Sequence, residues 1–302
     1  MFDFLFVPLQ PEEDKQKMKE LYCKVAEHVF VLRTGEYDNL LGDLRQYESF
    51  LTDPTEVTFS VEVVEELPMT AFHEELRQEE EGQTIVAGHL DDGEAYFEFW
   101  LGKKLCSVMV TDKDYREAKV SVKEDWSFGV NNAIMVMYAL ATANSQTALF
   151  HSSVVSYQGK AYMFLGHSGT GKSTHSSLWL KYIKGTELVN DDNPVVRIID
   201  GVARVYGSPW SGKTPCYRNV VYPVGAIVKL DQAPYNEIQR LKGVRAYAAV
   251  VPSISGKRWD KKMAEGLHET ENLLAQLVPV WHLDCLPDEA AARLSCNTCA
   301  HG

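Results

Sequence analysis

The stretch GHSGTGKST, residues 166–174, constrains this chain more than any other. It fits G-x-x-x-x-G-K-[ST], with Gly166, Gly171, Lys172 and Ser173 at the fixed positions and an extra Gly169 between them. The apolar run 161–165 before it reads as a buried strand, and a helix opens near Ser173. Glycines let the backbone approach a phosphate closely and turn successive N–H groups toward it, and the helix that follows presents its positive dipole end to the same spot. Lys172 is then placed to reach the outer phosphates, and the Ser173 hydroxyl to ligate magnesium. His167, Ser168, Thr170 and Thr174 complete the run expected to line the phosphates. The pattern predicts that the chain binds a nucleoside phosphate.

At 302 residues the chain is long for a single core, so two lobes, or one large α/β domain with an elaborate N-terminal part, are expected. Its 42 acidic and 30 basic residues give a net charge of -12, which argues against nucleic acid or a membrane surface as partner. A phosphate site must therefore be built locally. No apolar run has the length of a membrane span, and the opening MFDFLFVPLQPEED lacks a basic n-region, so a cytoplasmic location is expected. The six cysteines read as reduced thiols. Cys296 and Cys299 form C-x-x-C with His301 close behind, and without a second such pair this reads as a frayed tail.

Residues 1–145 carry no motif that ties them to chemistry. A strand is expected over 2–8, an amphipathic helix over 12–30 with Met18, Leu21, Val25 and Val29 on one face, and strands over 58–64, 84–89, 94–100, 106–111 and 118–122. That is a β-rich α+β lobe, mostly antiparallel. The acidic cluster 74–81 reads as a solvated helix face. An apolar helix over 131–146 leads into a strand over 148–156 that carries His151, and residues 158–160 turn back into the strand before the glycine loop. The boundary between the lobes is expected within 125–150, giving 1–130 and 131–302.

Beyond the loop, a strand over 187–190 ends in Asp191 and Asp192. Acidic residues at the end of a strand that follows a phosphate loop suit a Walker B role, holding the magnesium shell or taking a proton. Because Asn193 and Pro194 follow, a plain turn is the competing reading. A hairpin around Asp200 and Gly201 leads to YGSPWSGKTPCYRN, 206–219, which reads as a binding loop with an exposed Trp210. Lys213 and Arg218 are its candidate cations for an acidic or phosphate-bearing acceptor, with plain surface residues as the alternative. A strand over 226–230, helices over 244–250 and 259–278, a strand over 280–284 and a helix opened by Pro287 and Asp288 complete the chain.

The C-terminal half resembles the HPr kinase/phosphorylase and phosphoenolpyruvate carboxykinase superfamily of P-loop proteins. The carriers are His-Ser-Ser at His151, GHSGTGKST at Gly166, and LVNDDNPV at Leu188, and the resemblance covers about 150–230. It implies an α/β fold with a C-terminal P-loop domain, ATP and magnesium as cofactors, and His151 beside the metal or the γ-phosphate. Thr174 stands where HPr kinases place Glu, and their downstream glycine-arginine signature is missing. The expected activity is ATP-dependent phosphoryl transfer to a hydroxyl of a peptide, protein or small molecule, with serine the expected acceptor residue and one of Asp191 and Asp192 as base. Carboxykinase-like decarboxylation and a non-catalytic ATP-binding regulator are the alternatives, and an oligomer is open.

Overall fold

A computed structural model describes residues 19–35, 40–67, 71–80, 82–212 and 214–301. The expected strand over 2–8 and the start of the expected helix over 12–30 lie outside them. From Lys19 onward that helix is corrected to a hairpin of β1 (Lys19–Val25) and β2 (His28–Thr34), turned by Ala26 and Glu27 at φ 46° and 66°. Leu21 and Val25 satisfy helical and strand spacing alike. What decides is that Leu21, Cys23 and Val25 alternate inward while His28–Leu32 is buried at every position, the pattern of an interior strand.

After α1 (Leu40–Asp43) and a 3₁₀ turn (Arg45–Phe50) come β3 (Phe59–Val64), β4 (Phe72–Glu80), β5 (Gln83–Leu90), β6 (Ala95–Leu101), β7 (Lys104–Thr111) and β8 (Glu117–Val122). The eight strands form one sheet in the order β1-β2-β3-β8-β7-β6-β5-β4, antiparallel except for β2–β3 and β3–β8. The acidic stretch expected as a helix face is the edge strand β4, with position 81 outside the described residues. Charge on an edge strand discourages pairing with a further chain. Helix α2 (Trp126–Thr142) is capped by Asp125, which accepts from Phe128 N at 2.9 Å, and it packs on this sheet through a face that includes Val130, Ile134 and Met137.

The second sheet is built from β9 (Thr147–Leu149), β10 (Ser152–Tyr157), β11 (Lys160–Leu165), β12 (Glu187–Asp192), β13 (Val195–Ile199), β14 (Val202–Tyr206), β15 (Val221–Gln232), β16 (Glu237–Leu241) and β17 (Val280–Cys285). Its order is β12-β10-β11-β15-β14-β13-β9, with β17 also pairing the far half of β15 and β16 outside β17. β11 and β17 run parallel to β15, and α3 (Lys172–Tyr182) follows β11. The strand expected over 148–156 is broken at Phe150 and His151, so that β9 pairs β13 while β10 pairs β11 and β12. Helices α4 (Val244–Val250), α5 (Lys261–Leu277) and α6 (Glu289–His301) lie where the sequence predicts helices, and a 3₁₀ turn (Val251–Ser253) follows α4. The expected frayed tail is corrected: α6 is a helix whose Ala292 and Cys296 join a core cluster with Trp179, Phe164 and Val228. All six cysteines are free. A second, larger cluster runs from Leu21 to Val280 and takes residues from both sheets. The chain is thus mixed α/β with two sheets, and among the described residues no helix is long and apolar enough to cross a membrane.

Candidate functional site

The glycine loop leaves the end of β11 beside the end of β15, where Leu165 pairs with Lys229. Gly166, Gly169 and Gly171 take φ of 154°, 79° and 106°, values that other residues rarely adopt. At Gly166 a Cβ would also meet Thr170 Cβ at 3.1 Å and Leu230 O at 3.2 Å. The loop is braced by its own atoms: Thr170 Oγ1 donates to His167 O at 2.7 Å, and Lys172 Nζ donates to Gly166 O at 3.0 Å and to His167 O at 3.2 Å. From β15, Gln232 Nε2 donates to Gly169 O at 3.1 Å. Gly171 is the N-cap of α3 and makes no side-chain cap hydrogen bond, so the helix turns its positive dipole end toward an anion at the loop.

Buried hydrogen bonds hold α3 in place. Trp179 Nε1 donates to Ser295 Oγ at 2.9 Å, His175 Nε2 lies 2.9 Å from the same hydroxyl, and Ser153 Oγ and Ser176 Oγ are 2.6 Å apart. Burial pushes the His175 imidazole down to about 4, so it stays neutral against α6.

β10 runs antiparallel to β11 and β12, pairing Ser152 with Asp192 and Ser153 with Asp191, and so brings His151 and the aspartates to the edge that carries the loop. His151 Nδ1 lies 3.6 Å from Asp192 Oδ1. Burial raises the Asp192 carboxyl above its ordinary 3.8, with the charges of Glu80 and Asp191 adding to it and those of His151 and Lys172 opposing. Asn193 Nδ2 donates to Asp192 Oδ2 at 2.8 Å. Asp192 has φ 135°, a conformation that costs a non-glycine residue about 1–3 kcal/mol. It interrupts the alternation that points successive strand residues to opposite faces. The buried Asp191 is fixed through its carbonyl, which accepts from Gly212 N at 2.6 Å and Ser211 Oγ at 3.1 Å.

These residues open onto one cavity of about 800 Å³. His151, Asp191, Asp192 and all of 166–174 except Thr170 line it. Arg218 does not. It sits at the opposite end of β12, donating to Leu188 O at 2.6 Å and to Glu187 Oε2 at 2.7 Å, which corrects its expected place beside the acceptor. Lys213 lies outside the described residues. Trp210, expected exposed, is buried at 2% and donates from Nε1 to Tyr47 OH at 2.9 Å. Ser49 Oγ donates to Tyr217 O and Asn219 Nδ2 to Ser49 O, so the loop 206–219 is tied to the 3₁₀ turn that holds Ser49, while its Gly212 lines the cavity.

Two parts of the site escaped the sequence reading. One is Lys229, which lines the cavity and lies 3.0 Å from Asp231, itself 2.7 Å from His282 Nε2. A lysine near the end of the apolar run AIVKLDQ was the available signal. Asp231, His282 and Asp284 are also the carboxylates and imidazole that lie within 4.8 Å of one another among the described residues. The other is the wall from β4, β5, β6 and α2, which no motif marks.

No family model matches the chain, and no curated protein matches it. Among solved structures it is similar to the Hpr(Ser) kinase/phosphatase from Coxiella burnetii, at 10% identity over 51% of this chain and 95% of that one, with a TM-score of 0.31. The functional reading accordingly stands on the residues gathered at the sheet edge.

Proposed function

We propose that this protein is an ATP- and magnesium-dependent phosphotransferase of the P-loop type, moving the terminal phosphoryl group onto a hydroxyl. The observation that carries the reading is the convergence, on one cavity, of a glycine loop with the helix start behind it and a His151–Asp192 pair from the neighbouring strands. The residues fit the cofactors: three glycines at positive φ and a helix start without a side-chain cap suit a polyphosphate, while Ser173, Asp191 and Asp192 offer hard oxygen ligands to magnesium. Bound magnesium supplies charge neutralisation on the phosphate oxygens.

The chain's own residues do the rest. The loop amides and Lys172 hold the phosphates and stabilise charge that develops on them. Asp192, whose carboxyl is raised by burial, takes the acceptor proton, and His151 beside it stabilises the charged carboxylate. Asp191 is assigned to the metal. In the transfer the P–O bond to the β-phosphate breaks, a P–O bond to the acceptor oxygen forms, and ADP leaves with the electron pair.

The test is ATP consumption by the purified chain with and without hydroxyl compounds, in magnesium and in EDTA. Magnesium-dependent turnover stimulated by a hydroxyl compound is expected. Tight ATP binding without stimulated turnover favours the regulator that Thr174 allows.

A further inference from the structure

The first sheet forms one wall of the cavity, and its polarity is graded. Leu76, Gln78 and Glu80 of β4 share a face with Gln83, Ile85 and Ala87 of β5, because strand side chains two apart point the same way, and all six line the cavity. Register sets them in rows: Glu80 opposite Gln83, Gln78 opposite Ile85, Leu76 opposite Ala87, and Ala87 opposite Phe97 of β6. The polar row carries Glu80, which lines the cavity together with Asp191 and Asp192. Four extended residues separate it from the apolar row, roughly 13 Å. Met135 and Val136 of α2 line the same cavity and keep part of their apolar surface uncovered.

Charge narrows the occupant further. Glu80, Asp191 and Asp192 make the hydroxyl-accepting end acidic, which disfavours an anionic acceptor. The lysines of the described lining are engaged: Lys172 on the loop carbonyls, Lys229 on Asp231 at 3.0 Å, and Lys257 on Glu75 at 3.0 Å. We infer that the acceptor is a small uncharged alcohol whose hydroxyl meets the Asp192 end and whose apolar body, an aromatic ring or a short hydrocarbon chain, lies against Ile85, Ala87, Phe97 and Val136. The first sheet is then the specificity wall of the transfer site. This rests on the phosphotransferase reading for the reaction, while the chamber itself is tested without it.

Binding to the full chain without nucleotide is measured by ligand-observed NMR for 2-phenylethanol, phenylacetate and glycerol. Binding of 2-phenylethanol is expected to be at least about tenfold tighter than that of the other two, a difference of about 1.4 kcal/mol. Val136→Phe and, independently, Ile85→Phe fill the chamber from α2 and from β5. Each is expected to weaken 2-phenylethanol about tenfold while ATP affinity stays within about threefold. Equal binding of the three compounds, or 2-phenylethanol affinity that neither substitution changes, overturns the chamber. Turnover stimulated by glycerol but not by arylalkyl alcohols overturns the acceptor class and keeps the kinase. Selective 2-phenylethanol binding with no ATP-dependent turnover on any alcohol keeps the chamber and removes the kinase.

Discussion

His151 Nδ1 and Asp192 Oδ1 stand 3.6 Å apart, joined across the β10–β12 ladder at the point where β10 begins and β12 ends. His151 lies in the break between β9 and β10, and Asp192 ends β12 with φ 135°. A strand continuing through His151 would have carried it into a ladder, and an ordinary β residue at 192 would have turned its carboxyl to the opposite face of β12.

Asp192→Asn keeps this shape and removes the charge. Because the folded carboxyl titrates above its ordinary 3.8, the folded state binds the proton more tightly, so the stability it contributes is present below 3.8 and lost as pH rises through the folded value. The variant is therefore expected to be more stable than the wild type at pH 7, with the gain shrinking toward pH 4 in urea unfolding. Its turnover should fall by about 10²-fold or more, the range for a lost general base, with ATP affinity within about threefold. Unchanged turnover makes Asp192 a turn residue.

Lys172 is held by two carbonyls of its own loop, so its removal takes away both a phosphate ligand and a brace. Lys172→Ala is expected to weaken ATP binding or turnover at least about tenfold, about 1.4 kcal/mol. Isothermal titration with ATP checks it, and an unchanged dissociation constant together with full turnover sinks the phosphate-site assignment.

What could be read in the sequence was what local chemistry dictates. The strand–loop–helix unit around Gly166 and the hairpin at Asp200 and Gly201, whose φ of 52° and 72° match the D-G turn signal, needed no tertiary information. Trp210 could not be placed that way. Its ring is buried because Tyr47 and Tyr138 meet it, a contact between distant segments that a loop rich in Gly, Pro and Ser hides. The specificity wall was equally invisible, since Gln83, Ile85 and Ala87 look like any strand until β4 extends their face and α2 lines the same cavity. β16 was missed for a similar reason: EIQRL has a mostly polar pattern because it pairs only β17, at the sheet's margin.

The Trp210–Tyr47 contact has its own consequence. Tyr47 OH accepts from Trp210 Nε1 at 2.9 Å and donates to Asn131 Oδ1 at 3.0 Å, with Tyr47 and Trp210 both buried. Tyr47→Phe leaves the indole N–H without that partner, at a cost of about 1–3 kcal/mol. Chemical denaturation should show the loss, while ATP affinity stays unchanged because neither residue lines the cavity. A variant as stable as the wild type shows that the indole finds another acceptor.

Acid sensitivity should come mainly from two buried histidines. His28 packs against Tyr138 with Nε2 3.0 Å from Thr147 Oγ1, and burial together with the Arg197 charge pushes it down to about 4. His175 reaches the same value by burial. Both have folded values below the ordinary 6.5, so each contributes stability that is complete above 6.5 and is lost as pH falls toward 4, on the order of 3 kcal/mol apiece. This slope opposes that of Asp192 and outweighs it, because two strongly shifted groups act against one. Unfolding free energies measured in urea from pH 7 to pH 4.5 should fall, and His28→Gln or His175→Gln should each flatten the fall by up to one proton's worth, about 1.4 kcal/mol per pH unit. The two should differ in reach. His175 anchors the helix that carries Lys172 and Ser173, so acid should weaken ATP binding through it before global unfolding, whereas His28→Gln should leave that loss in place. If neither variant changes the slope, the two imidazoles titrate near 6.5 and the buried neutral state assigned to them is wrong.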